Sequence, residues 1–133
     1  KGGALAAMLP VFRLGLGGRL GSGRQVWSWI TLDDVVAAVA HVLAAERVAG
    51  PVNFVSPNPV TNAEFTRVLA RVLGRPAIFA VPAPAARLLL GEMADEMLLA
   101  GARVVPRKLL DSGYRFLHPE LEAALRSILR RGA

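Results

Sequence analysis

The sequence predicts a mixed α/β fold, mostly helical, with a few short strands. Three observations carry this. Residues 52–81 run strand-like, helix-like, strand-like, the order of a βαβ unit. Residues 25–39 pass from a β-branched and aromatic segment into one with helical spacing. Beyond Pro82 the apolar residues keep helical spacing, punctuated by Gly and Pro. Pro82 and Pro84 mark a division into residues 1–81 and a small helical unit over residues 82–133.

Taken in order, Ala4 to Leu14 reads as a helix with Leu5, Met8, Leu9 and Phe12 on one face. Pro10 removes a donor inside it and predicts a kink or a restart. Gly15 to Gly23 holds five glycines and reads as a flexible connector. Gln25 to Ile30 suits a half-buried strand, with Trp27 and Trp29 on the same side. Thr31 followed by Asp34 has the spacing of a capping box. The helix it opens carries Leu32, Val35, Val36, Val39, Val42 and Leu43 as its expected buried face.

Arg47 to Pro51 is a break, and Val52 to Val55 a strand closed by the turn residues Ser56-Pro57-Asn58-Pro59. The next helix has the most complete local code. Thr61 and Glu64 form a capping box, Val60 and Phe65 a hydrophobic staple, and Gly74 with Pro76 the stop. Its core face is Phe65, Val68, Leu69, Val72 and Leu73. Ala77 to Val81 is a strand. Ala85–Gly91 and Ala94–Ala100 are helical, Val104-Val105 is extended, Pro106 opens a helical turn, and Tyr114-Arg115-Phe116 is extended. The last helix starts at Pro119. Glu120 and Glu122 stand at its positive end, and Arg126, Arg130 and Arg131 at its negative end.

Composition limits the function classes. With 53% hydrophobic residues the chain can build a core. It has no cysteine, hence no disulfide or thiolate chemistry, and its two histidines lack metal-ligand spacing. No apolar run reaches about 18 residues and no charged-then-apolar leader is present, which points to a cytoplasmic protein without a membrane partner. The net charge of +6 comes from scattered arginines without interleaved aromatics, so nucleic acid is not an expected partner.

Candidate site residues each have a plainer counterpart. Asp33-Asp34 could be an acid/base or metal pair, or acidic residues favoured at a helix start. His41 lies beside an apolar face, and His118 stands at a helix entry. The glycine run follows a helix and precedes a strand, the reverse of a dinucleotide cradle. Arg24, Gln25, Trp27 and Trp29 are the candidate substrate pocket: an arginine fork for an anion, with indoles as wall, against a solvated loop and core packing. No Ser-His-Asp set, P-loop, tyrosine-x-x-x-lysine pair or Gly-x-x-Gly-x-x-Gly fingerprint can be assembled, so the residues give no catalytic, cofactor-binding or metal assignment.

Several stretches together resemble one family. They are Ser28-Trp29-Ile30-Thr31-Leu32-Asp33-Asp34, the glycine-rich Leu16–Gln25 segment, and Gly50–Asn62. The tail adds Leu89-Leu90-Gly91-Glu92-Met93-Ala94, Arg103-Val104-Val105-Pro106, and Gly113–Phe116 with His118-Pro119. In this order they resemble the epimerase-like extended short-chain dehydrogenases/reductases with a C-terminal domain of unknown function, the DUF1731 type. The resemblance implies the C-terminal portion of a Rossmann-like extended reductase. Residues 1–81 are then the end of the Rossmann-type domain with substrate-side elements, and residues 82–133 the small C-terminal domain. It implies an NAD(P)-dependent parent, NAD or NADP, acting on a nucleotide-sugar-like or other small substrate. The missing N-terminal Rossmann half then supplies the cofactor site and the tyrosine/lysine pair. By itself this chain is expected to bind no cofactor and to self-associate through exposed apolar surface. The other reading is a free-standing basic module that binds a protein partner or an anion.

Overall fold

A computed structural model describes residues 2–45, 50, 52–98 and 104–130. In chain order these form α1 (Gly2–Arg13), β1 (Gly18–Leu20), β2 (Val26–Trp27), α2 (Leu32–Ala44), β3 (Val60–Thr61), α3 (Asn62–Leu73), β4 (Phe79–Val81), α4 (Ala83–Leu90), α5 (Met93–Leu98), α6 (Arg107–Asp111) and α7 (Leu121–Arg130). The expected balance holds: the chain is mostly helical, with a few short strands. The break over 47–51, apart from Gly50, lies outside the described residues, as do the end of the 94–100 helix, Arg103 and Arg131.

Two pairs of strands form. β1 runs parallel to β4, with Gly18 opposite Phe79 and Leu20 opposite Val81. β2 runs antiparallel to β3, with Val26 opposite Thr61. This differs from the expected strand–helix–strand unit over 52–81. Val52–Val55 joins neither sheet; Val52 and Phe54 pack instead into an apolar cluster with Ala38, Leu109 and Tyr114. The expected Gln25–Ile30 strand keeps only its second and third residues in a ladder. Val104-Val105 and 114–116 also form no ladder among the described residues.

The main core joins α1, β1, α3, β4, α4, α5 and α7 through Met8, Phe12, Leu69, Val81, Met97 and Leu125. It takes residues from both sides of Pro82. α1 is continuous through Pro10, so the helix does not restart there. Pro10 and Ala6 are exposed, so water can take the carbonyl that the proline leaves without a donor. α3 follows its local code in full. Thr61 Oγ1 accepts from Glu64 N at 3.1 Å, Glu64 Oε1 accepts from Thr61 N at 3.0 Å, and Gly74 closes the helix at φ 65°. α7 begins at Leu121 rather than Pro119. Its Glu122 accepts from Arg71 of α3 and from Arg126, which together hold that carboxyl below its ordinary range.

The largest departure concerns α2. Leu32, Val36, Val39 and Leu43 of its expected buried face are exposed, at 53, 63, 40 and 83%. The covered side is the opposite one, with Asp34 and Ala38 fully buried and Ala37 and Val42 against the second cluster. Helical spacing identified a stripe correctly; nothing local states which side of a helix the rest of the chain will cover.

Candidate functional site

The glycine run is built tightly, which replaces the expected flexible connector. A Cβ at Gly17 would lie 2.7 Å from the Phe12 ring, and one at Gly18 only 1.6 Å from the Phe79 carbonyl oxygen. Gly21 and Gly23 sit at φ 58° and 70°, a region open chiefly to glycine. At Gly17 and Gly18 the place a side chain would take is therefore filled by a phenyl ring and by this chain's own backbone.

The loop delivers the four pocket candidates to β2 and its flanks. Arg24 is exposed, and its backbone N–H donates to Ser22 Oγ. Gln25 is buried; its Nε2 donates to the Leu20 carbonyl at 3.0 Å and to the Met97 carbonyl at 3.1 Å. Trp27 donates to that same Met97 oxygen at 3.1 Å, and its ring meets Phe65 edge-on at 5.1 Å. Trp29 Nε1 donates to the Asn58 carbonyl at 2.7 Å. So Gln25 and Trp27 converge on the end of α5, Trp29 is tied to the turn before β3, and Arg24 stands apart on the loop. Both indoles are half-buried against the main core.

Asp33 and Asp34 part company. Thr31 Oγ1 accepts from Asp34 N and donates to Asp34 Oδ2 at 3.3 Å, so the carboxylate meets the cap's hydroxyl rather than its backbone amide. In addition Oδ1 accepts from the Tyr114 hydroxyl at 2.6 Å and Leu117 N at 2.8 Å, and Oδ2 from His118 N at 2.9 Å. A fully buried carboxylate is thus met by neutral donors from the segment before α7. Burial first, then the hydrogen bond to Asp34 and its charge, hold the Tyr114 phenol well above its ordinary value. Asp33 lies 3.3 Å from His118 Nε2.

His41 and Ser112 approach to 2.9 Å, the spacing of a nucleophile and its base. Ser112 Oγ, however, donates its one proton to the Leu109 carbonyl at 2.8 Å. With that proton so placed, His41 Nε2 donates to Ser112, and the pair packs beside Tyr114. A cavity of about 30 Å³, bounded by Phe12, Gly17, Gly18, Asn62, Thr66 and Val81, has room for one water. No His/Cys/Asp/Glu group that could hold a metal exists among the described residues. No helix among them is long and apolar enough to cross a membrane.

Residues 81–128 match the family described as a domain of unknown function, DUF1731. An epimerase family protein of Mycobacterium tuberculosis is 48% identical over 93% of this chain, and the mouse epimerase family protein SDR39U1 47% over 96%. The structure of human epimerase family protein SDR39U1 with NADPH superposes at a TM-score of 0.86, with 42% identity over 98% of this chain. The chain is similar to epimerase family proteins, SDR39U1 among them. It corresponds to their C-terminal part. It spans 41% of the mycobacterial relative, 44% of the mouse protein and 44% of the human chain. A nucleoside-diphosphate sugar epimerase from Corynebacterium glutamicum is more distant within this kind, with a TM-score of 0.61, 31% identity, and 89% of this chain against 22% of that one.

The tyrosine bound to Asp34 and the paired carbonyl of Met97 are the site features that sequence reading missed. Neither has a local signature. Asp34 and Tyr114 are 80 residues apart, and Trp27 and Met97 are 70 apart.

Proposed function

We propose that the chain is the substrate-side wall of an NADP-dependent epimerase-like reductase, with Arg24, Gln25, Trp27 and Trp29 bordering the substrate. One observation carries the reading: nearly the whole chain superposes on part of a relative that holds NADPH. The remainder of the parent then binds NADP and supplies the acid/base pair. Residues 1–81 are the end of the Rossmann-type domain, and residues 82–133 a small C-terminal unit packed on it.

The tryptophan face supports this division. Both indole N–H groups are tied to carbonyls, so the rings are held in fixed positions at low entropic cost. Arg24 offers an exposed guanidinium that suits a bidentate contact with a phosphate. A nucleoside-diphosphate sugar has an anion and a planar base to match, and the Corynebacterium neighbour bears that substrate class in its name.

The test is Trp27→Ala and Trp29→Ala in the full-length parent, with calorimetry of NADPH and of a nucleoside-diphosphate sugar. The expected result is weaker sugar-nucleotide binding with NADPH binding retained and little change in stability. Loss of roughly 3–5 kcal/mol of stability in both variants, with sugar-nucleotide binding unchanged, makes the indoles packing residues and the pocket wrong.

A further inference from the structure

We infer that the outer face of α2 is the docking surface for the cofactor-binding part of the parent polypeptide; the inference rests on the reading just given. Leu32, Val36, Val39 and Leu43 recur every three or four residues and form one narrow stripe. All four are exposed, and the stripe contains no charged residue. The opposite side of the helix is already packed, with Asp34 and Ala38 fully buried. A helix apolar on one side and covered on the other belongs between two layers, of which the described residues supply one.

The chemistry narrows the occupant. The stripe offers no cation for a nucleic acid and no anion for a basic partner. A helix lying on a membrane keeps a basic polar face toward water. α2 has no lysine or arginine, and its other face is inside protein. A second copy has to bring two chains of net charge +6 together. What remains is an apolar protein surface on the same polypeptide. More than half of the human relative lies outside the region this chain matches, and that protein is seen with NADPH. A further observation points the same way. Val52 and Phe54 pack in the cluster beneath α2, yet their segment takes part in neither sheet. Helix and unladdered segment lie side by side, as they do at the edge of a sheet awaiting its next strand.

The test places Val36→Asp with Val39→Asp in two contexts, residues 1–133 and the full-length parent, and reads thermal unfolding in each. In the short chain the pair is exposed, and the midpoint is expected to move little. In the parent it is expected to fall by roughly 4 °C or more relative to that control. Equal shifts in both contexts overturn the docking surface, and leave the proposed function standing if the wild-type parent binds NADPH. A wild-type parent that binds no NADPH overturns the cofactor reading instead. Sedimentation of the short chain covers the other occupant: a wild-type dimer dissolved by the double variant assigns the stripe to a second copy and overturns the inference.

Discussion

Asp34 shows how much a single residue decides in this chain. Its carboxylate is fully buried and accepts from one phenol and two backbone amides. Asp34→Ala leaves the buried Tyr114 hydroxyl and two part-buried N–H groups without their acceptor, and is expected to cost roughly 2–5 kcal/mol in denaturant unfolding. Tyr114→Phe removes one charge-assisted bond, and is expected to cost less, about 1.5–3 kcal/mol. The tyrosine also reports on pH. Its folded value lies above the unfolded one of about 10, so its contribution is complete below that pH and is lost as pH rises beyond it. Tyr114 is the only tyrosine, so the phenolate absorbance band is unambiguous. It is expected to appear only together with loss of helical circular dichroism; ionisation near pH 10 in a still-folded chain contradicts the buried bond. From sequence alone Asp34 was legible as a helix-start residue. Most of its acceptor role was not, because apart from the Thr31 hydroxyl its donors Tyr114, Leu117 and His118 lie 80 to 84 residues downstream.

At the scale of elements, legibility follows how local the code is. α3 was read in full because its cap, staple and stop all lie within 15 residues of one another. The strands were misread because two- and three-residue ladders are decided by the partner more than by their own residues. β1 is the clearest case. Its glycine exists for the close approach of Phe79, which no reading of Gly15–Gly23 alone can show. Gly18→Ala requires the two strands to separate, and is expected to cost more than about 4 kcal/mol or to abolish folding. Gly74→Ala is the matched control: a Cβ there meets nothing within 4 Å, so only the left-handed backbone counts, at about 1–2 kcal/mol. Equal costs for the two variants would contradict the packed loop. The pocket candidates divide in the same way. Gln25 and Trp27 were recognisable as notable residue types, but their common tie to Met97 needed the fold.

The whole molecule is drawn together by contacts between distant parts of the chain. The Asp34 clamp spans 80 to 84 residues, and the two bonds on the Met97 carbonyl span 70 and 72. Family resemblance was readable from the ordered motifs, while the arrangement that makes them one body was not, since motifs state order and not contact.

That same Asp34 clamp has a consequence for biosynthesis. Helix α2 leaves the ribosome long before the residues that satisfy its buried carboxylate. At roughly 5–20 residues per second, 80 residues take about 4–16 s. During that interval Asp34 must stay hydrated, so the first turn of α2 cannot settle against its final neighbours. The second apolar cluster, which includes Tyr114, therefore closes no earlier than the synthesis of the segment that ends at His118.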